Sequence, residues 1–165
     1  MRRSATATLS CCFLRWPVAE MMRVTSEVIR PDELREQLGD PAAGAYASFE
    51  GWIRNENDGH AVRRLEYESY EPLAVKEGQV VLREASGKFS ILKAECVHRV
   101  GILEIGECAV WVGVAAPHRD EAFAACRYII DQVKVRLPIW KKEHYADGHS
   151  GWVNCERCAA HGQTA

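Results

Sequence analysis

Apolar and polar residues alternate along several short stretches of this chain, and a period of two is typical of half-buried β-strands. In residues 44–54 the apolar face contains Phe49, which we expect to point into the core. Residues 108–116 are almost entirely apolar, as expected for a strand that is covered on both faces. The pattern predicts strands at residues 22–29, 44–54, 63–70, 89–100, 108–116 and 152–153, and a short segment closed by a turn at residues 102–106.

Helical periodicity and helix-end signals predict three helices between these strands. Pro31 and Pro72 suit the first turn of a helix, because the N–H that proline lacks has no partner there. Pro138 disfavours helical structure at the residue before it and should end the third helix. The predicted helices span residues 31–38, 72–85 and 119–136. The third has an apolar stripe made of Phe123, Cys126, Ile130, Val133 and Leu137.

The order of these elements predicts the fold class. Strands and helices alternate along the chain, but several strands also follow one another directly through turns. This arrangement favours an α+β fold in which the helices lie on one side of a mixed or antiparallel sheet. A chain of 165 residues is most simply one domain, long enough to bury a sizeable core.

Both ends of the chain fall outside the predicted domain, which we place at residues 22–154. Residues 1–21 loosely resemble a signal or transit peptide, but an arginine interrupts the apolar stretch and no cleavage site of small residues is obvious. We therefore favour a non-core extension or a mis-assigned start, with Met21 or Met22 as the true first residue. Residues 155–165 are expected to form a flexible tail.

Composition narrows the classes of function. A net charge of -2 argues against a general nucleic-acid binder, and no apolar run approaches the roughly 18 residues of a membrane span. The odd count of 7 cysteines, without a clear secretory signal, favours reduced thiols and a cytoplasmic location. Cys155, Cys158 and His161 have only a weak metal-site spacing, so we expect no metal and no cofactor.

Cations cluster at both ends of the third predicted helix. His118 and Arg119 precede its first turn, where backbone N–H groups favour anions, although this pair could simply cap the helix. Lys134 lies near the edge of the apolar stripe, where it could complement the helix dipole or serve as a base or anion ligand. We expect both helix ends to contribute cations to one site for a small, highly anionic ligand.

More charged residues follow the proline that ends this helix. Lys141 and Lys142 come after Trp140, and an aromatic ring beside cations can stack a flat heterocycle whose phosphate they bind. The alternative is a solvated pair, which is the usual meaning of a short charge run. Glu143 could orient a lysine by ion pairing. Arg54 ends a predicted strand at the start of a polar loop, another position at the rim of the sheet.

Four motifs occur in a defined order along residues 24–153, and the ordered set is far more specific than any one of them. Together they resemble the large, catalytic subunit of molybdopterin synthase, the MoaE family. The motifs are Ala47-Ser48-Phe49-Glu50-Gly51-Trp52-Ile53-Arg54-Asn55, His98-Arg99-Val100-Gly101, Gly113-Val114-Ala115-Ala116-Pro117-His118-Arg119 and Lys134-Val135-Arg136-Leu137-Pro138-Ile139-Trp140-Lys141-Lys142-Glu143.

The resemblance implies an α/β hammerhead fold with an additional antiparallel β subdomain, and a homodimer of this subunit. It implies one partner at each end of the dimer, a small ubiquitin-like sulfur carrier (MoaD) with a thiocarboxylate on its C-terminal Gly-Gly, which makes a heterotetramer. The implied reaction is sulfur transfer to cyclic pyranopterin monophosphate, which forms the dithiolene of molybdopterin in molybdenum cofactor biosynthesis.

The resemblance also implies roles for individual residues. Lys134 corresponds to the main catalytic lysine, as a general acid/base or electrostatic stabiliser, and Lys141 to a second essential lysine. The implied substrate-binding residues are Trp52, Ile53, Arg54, His118, Arg119, Lys142 and Glu143.

A second hypothesis assigns the same cationic site a binding function without catalysis. The same cationic pocket could belong to a non-catalytic module that binds a nucleotide or another phosphorylated ligand, with Lys134 as a ligand only. A carrier protein with a C-terminal Gly-Gly that copurifies with the chain would distinguish the two hypotheses.

Overall fold

The computed structural model describes residues 19–153, which form two β-sheets and three helices. The strands are β1 (Ala19–Thr25), β2 (Ala45–Trp52), β3 (Glu56–Asn57), β4 (His60–Ser69), β5 (Lys93–Arg99), β6 (Gly101–Glu104), β7 (Cys108–Ala116), β8 (Ile139–Tyr145) and β9 (Ser150–Val153). The helices are α1 (Pro31–Gln37), α2 (Glu71–Lys88) and α3 (Arg119–Arg136).

The first sheet has the strand order β1-β5-β7-β2, with β1 parallel to β5 and the other pairs antiparallel. Its side chains alternate between two separate cores. Cys96 and Val112 pack among residues of α2 and α3, whereas Val97 and Trp111 pack with α1. The expectation that the helices lie on one side of the sheet is therefore right for α2 and α3 and wrong for α1.

The second sheet is antiparallel and has the order β3-β4-β8-β9, with β6 also paired to β4. Val62 and Leu65 on the inner face of β4 pack against Ile53 and Leu103. This sheet is the additional antiparallel subdomain that the motifs imply, so the α+β fold class and the hammerhead-plus-subdomain architecture are confirmed.

The link between α3 and β8 determines where the cationic residues lie. The backbone N–H of Leu137 still donates to the Val133 carbonyl, but Leu137 itself is extended, with φ -75° and ψ 134°. Pro138 follows, and its carbonyl accepts a hydrogen bond from the Tyr70 N–H at 3.3 Å. The chain therefore reverses at once, and β8 begins beside the end of α3.

Several predicted boundaries are corrected by the structure. Strand β1 begins at Ala19, so residues 19–21, which we had assigned to the extension, pair with β5. Helix α2 continues to Lys88, three residues beyond its predicted end. Phe123 was expected in the buried stripe of α3 but is 65% exposed, because Ala122 and Ala125 face the core instead.

Two strands, β3 and β8, were not predicted at all. Strand β8 consists mainly of charged and polar residues, which do not resemble a typical strand, and β3 is only two residues long. The predictions for residues 1–18, and for Cys155, Cys158 and His161, lie outside the described residues. None of the helices within residues 19–153 has the length and apolar character that a bilayer-spanning helix needs.

Candidate active site

A cleft of about 160 Å³ opens between the second sheet, the ends of β2 and β7, and the last turn of α3. The apolar part of its lining comes from the two sheets, and its charged part comes from β8, α3 and the loop after β2. The lining residues are Gly51, Trp52, Arg54, Glu56, Asn57, Val62, Leu65, Tyr67, Ala109, Val110, Lys134, Lys141 and Glu143.

Strand β8 presents polar side chains to the interior of the protein. Lys141, Glu143 and Tyr145 are two residues apart and therefore project from the same face of the strand. Because β8 pairs with β4, this face continues the inner face of β4. Lys141 is paired with Tyr67, and Glu143 is paired with Leu65. Only 8% of Lys141 and 1% of Glu143 are exposed, so this strand buries two opposite charges.

The Glu143 carboxylate has three donors. Lys141 Nζ lies 2.9 Å from Oε1, while Tyr145 Oη and Asn57 Nδ2 donate to Oε2 at 2.7 and 3.1 Å. Burial alone would raise the pKa of Glu143, but these hydrogen bonds and the charge of Lys141 lower the pKa below its usual value. The carboxylate is thus ionised although it is buried.

Tyr145 is held in its protonated form by the same carboxylate. Its hydrogen bond to Glu143, together with partial burial and nearby negative charge, raises the pKa of Tyr145 to about 12. At neutral pH the phenol therefore remains a hydrogen-bond donor to Glu143.

Lys134 reaches the cleft from the last turn of α3. It is exposed, and its Nζ lies 5.6 Å from the centre of the Phe49 ring, a distance suited to a cation–π contact. Phe49 packs against the core of the first sheet, as we expected. The ring therefore gives the flexible lysine a rigid surface at the mouth of the cleft.

Arg54 and Trp52 border the opposite side of the cleft. Arg54 Nη2 donates to Asn57 Oδ1 at 3.1 Å. Trp52 is 64% exposed, and its indole N–H donates to the Glu50 carboxylate at 2.9 Å. Both side chains remain accessible to a ligand.

Five of the nine predicted site residues line this cleft: Trp52, Arg54, Lys134, Lys141 and Glu143. Ile53 does not, because it is 3% exposed and packs in the core of the second sheet. Lys142 projects from the other face of β8, where its Nζ lies 5.7 Å from the centre of the Trp152 ring. Trp140 is exposed on that same outer face.

His118 and Arg119 lie at the opposite end of α3 from Lys134. Lys134 lies fifteen positions after Arg119 along the helix, which is about 22 Å at the usual helical rise. Arg119 is largely exposed, with its Nε 3.7 Å from Asp120. Within one chain the two ends of α3 do not converge, so the expectation that one helix alone brings these cations together is wrong.

His98 and Arg99, from the second of the four motifs, make structural contacts. Buried His98 shares a hydrogen bond with the Arg99 carbonyl, and burial lowers the pKa of His98 to about 4. Arg99 pairs with Glu107 at 2.9 Å. These contacts explain why this histidine and arginine occur at a strand end.

The described cysteines are poor nucleophiles. Cys96, Cys108 and Cys126 are free thiols, and none of the three lines the cleft. Burial raises the pKa of each, to about 11 for Cys108 and Cys126, which disfavours the reactive thiolate. Within residues 19–153, no group of three or more His, Cys, Asp or Glu side chains could hold a metal ion.

Two residues of the site were missed in the sequence. Asn57 lies in the polar loop after Arg54, in which no residue was assigned a role, and Tyr145 follows a charge run without an evident period. Recognising residues 139–145 as a strand would have placed Lys141, Glu143 and Tyr145 on one face. The obstacle was the expectation that an inward-facing strand side is apolar.

The fold and the cleft together define a class of protein. It is an α+β protein with a narrow cleft lined by Arg54, Lys134, Lys141 and the buried carboxylate of Glu143. Such a site can bind a small anion and move protons, and the thiols described above supply no nucleophile to it.

Comparison with known proteins identifies the family. The family described as "MoaE protein" matches residues 24–136. A molybdopterin synthase catalytic subunit from Nostoc sp. is 37% identical over 151 residues, covering 91% of this chain and 92% of the relative. Another, from Thermoplasma volcanium, is 40% identical over 131 residues, covering 79% and 96%.

Solved structures agree with this assignment. Molybdopterin synthase from Staphylococcus aureus superposes with a TM-score of 0.74 at 35% identity, covering 79% of this chain and 94% of that one. A complex of subunits 1 and 2 of molybdopterin-converting factor from Helicobacter pylori shares the fold, with a TM-score of 0.65 at 20% identity. The chain belongs to the MoaE family, whose curated relatives are catalytic subunits of molybdopterin synthase.

The buried ion pair generates a prediction about stability. Replacing Glu143 with Leu leaves the Lys141 charge buried without its partner and should cost about 3 kcal/mol of unfolding free energy. Replacing both residues, Lys141→Met with Glu143→Leu, removes both charges and should recover most of that loss. Urea unfolding of the three proteins measures this. A double variant as unstable as Glu143→Leu would contradict the pairing.

Proposed function

We propose that this chain transfers sulfur from a thiocarboxylated small carrier subunit to cyclic pyranopterin monophosphate, forming the dithiolene of molybdopterin. The observation that carries the proposal is the cleft in which Lys134, Lys141 and Arg54 meet, in a chain of the MoaE family. The substrate is a phosphate ester, and the three cations outnumber the two carboxylates, Glu56 and Glu143, that line the same cleft.

The proposed sulfur donor is a ubiquitin-like partner with a C-terminal Gly-Gly. Support comes from the Helicobacter complex, in which two subunits of molybdopterin-converting factor are bound together. The cleft is narrow, and glycine residues without side chains suit a tail that enters such a space. Lys141, which is buried at the inner end of the cleft, is suited to receive the negative thiocarboxylate.

The chemistry requires no nucleophile from this chain, because the sulfur arrives already activated. The thiocarboxylate sulfur forms a bond to a substrate carbon, and the oxygen that it displaces leaves with a proton. Water then cleaves the acyl carbon–sulfur bond, which frees the carrier as a carboxylate and leaves the sulfur on the pterin. Two such transfers complete the dithiolene.

Residue roles follow from position in the cleft. Lys134 is flexible and exposed at the mouth of the cleft, so we assign it the role of general acid, which donates a proton to the leaving oxygen. Lys141 is fixed by Glu143, so we assign it electrostatic stabilisation of the acyl oxygen. Arg54 and Trp52 would contact the phosphate and the pterin ring at the rim.

A second copy of the chain would complete the substrate site. The cleft, at about 160 Å³, is smaller than the roughly 300 Å³ at which pockets begin to enclose a whole ligand. His118 and Arg119 are exposed and lie too far from Lys134 to share a substrate with it in one chain. We therefore assign them to the site of the other protomer in a homodimer, with one carrier per protomer.

Two further assignments belong to the same proposal. Neither Lys142 nor Ile53 lines the cleft, so both would affect substrate binding indirectly. Ile53 would do so by supporting Arg54 from the core. The cytoplasm is the expected location, since the described cysteines are free thiols.

The assignment of Lys134 predicts a loss of turnover. Lys134→Ala should lower the rate of molybdopterin formation at least a hundred-fold, because the proton donor is lost while the exposed position tolerates alanine. The assay mixes the purified chain with thiocarboxylated carrier and cyclic pyranopterin monophosphate and detects the oxidised fluorescent product. Lys76→Ala, an exposed lysine on α2, is the matched control.

The same assay separates the proposal from its alternative. If the chain binds the carrier and the phosphorylated ligand but forms no product, it is a non-catalytic binding module. Product formation that is insensitive to Lys134→Ala would remove the role assigned to that residue.

The shared site predicts complementation between inactive variants. When Lys134→Ala and Arg119→Ala chains are mixed and allowed to exchange, half of the dimers are mixed, and each has one site with both residues intact. Activity should return to about a quarter of the unmodified level. If each site belonged to a single chain, every site would carry one substitution and the mixture would stay inactive.

A further inference from the structure

The short hairpin between β3 and β4 holds one amide in a defined place. Asn57 pairs with His60 across a two-residue turn, in which Asp58 and Gly59 have φ values of 49° and 81°. Positive φ at both central residues is typical of the tight type I′ hairpin turn. Strand β4 pairs in turn with β8, so the hairpin sets the position of Asn57 relative to Glu143.

Both the oxygen and the nitrogen of the Asn57 side-chain amide form hydrogen bonds. Its Oδ1 accepts a hydrogen bond from Arg54 Nη2 at 3.1 Å, and its Nδ2 donates to Glu143 Oε2 at 3.1 Å. A guanidinium can only donate and a carboxylate can only accept, so these two partners determine which way the amide points. Neither a carboxylate nor an ammonium group at this position could satisfy both neighbours.

The contacts form one continuous chain across the cleft. Arg54 is joined to Asn57, Asn57 to Glu143, and Glu143 to Lys141 at 2.9 Å. The two ends of this chain are cations that line the same cleft. Displacement of the amide would therefore affect both cations at once, one directly and the other through Glu143.

We propose that Asn57 is a positioning residue that fixes the spacing between Arg54 and Lys141 by bridging Arg54 to the Glu143 carboxylate. Asn57 does not itself react. Its effect on turnover rests on the proposed sulfur transfer, whereas its effect on the side chains of the cleft does not.

Two substitutions of Asn57 test different parts of the bridge. Asn57→Ala removes both hydrogen bonds at a partly buried hairpin position. Asn57→Asp retains an acceptor for Arg54 but places a second carboxylate against Glu143, which it repels. Asn55→Ala is the matched control, because this exposed asparagine in the same loop does not line the cleft.

The experiment combines two measurements on the full chain. The first is kcat/KM for molybdopterin formation with the thiocarboxylated carrier. The second is the rate at which acetic anhydride acetylates Lys141, measured by mass spectrometry against exposed Lys76 as an internal reference. The second measurement requires neither carrier nor substrate.

Both Asn57 variants should lose roughly ten-fold or more in kcat/KM, because each loses a hydrogen bond to a charged group and Asn57→Ala loses two. Lys141 should be acetylated several-fold faster relative to Lys76, because Glu143 loses one of its three donors and the ion pair opens to solvent more often. Asn55→Ala should change neither quantity. Thermal unfolding of each variant shows whether the fold is intact.

Unchanged kcat/KM and unchanged Lys141 acetylation in both Asn57 variants would overturn the proposal. A general loss of stability, with faster acetylation of all lysines, would also overturn it, since the role of Asn57 would then be structural. If the unmodified chain forms no product, the proposed function fails. Selective acetylation of Lys141 in the variants would still establish the bridge in that case.

Discussion

The site depends on one ion pair, between Lys141 and Glu143 on the inner face of β8. Burying two charges is costly, and it is tolerated here because the carboxylate also accepts hydrogen bonds from Tyr145 and Asn57. The pair fixes an ammonium group inside a cleft that polar and apolar side chains line in similar number. Because Glu143 holds Lys141 in place, its ammonium group can donate a hydrogen bond to an incoming anion with little further loss of side-chain freedom.

Short connections between strands and helices place the other charged side chains of the cleft near this pair. The turn at Pro138 places the last turn of α3, with Lys134, beside the start of β8. The end of β2 supplies Arg54, and the hairpin that follows returns Asn57 to the same cleft. One side of the site is thus rigid, held by the buried pair, and the other is formed by exposed Lys134. A rigid stabilising charge and a mobile proton donor are the two functions that the proposed sulfur transfer requires.

The sequence predicted the fold class and most elements, because apolar periodicity reports directly on burial. The bounds of β7 and α3 agree with the pattern, whereas β8 was missed since its buried side consists of Lys141, Glu143 and Tyr145. The motifs indicated five residues that line the cleft. The separation of Arg119 from Lys134 was already implied by the predicted helix of residues 119–136, and the expectation that both ends of the helix meet at one site overlooked it. Asn57 was also missed, since its role depends on contacts across the sheet.

The most direct test of this account is the titration of Glu143 itself, followed by the NMR shift of its carboxyl carbon in ¹³C-glutamate-labelled protein. The account predicts a midpoint below the ordinary value of 4.5, because the donors stabilise the charged form. A lowered pKa in the folded state means that the carboxylate stabilises the protein above pH 4.5, and that this stabilisation disappears as the pH falls through the lower value. A midpoint above 4.5 would contradict the account, because burial would then dominate and Glu143 would tend towards a neutral acid unable to hold Lys141 by charge.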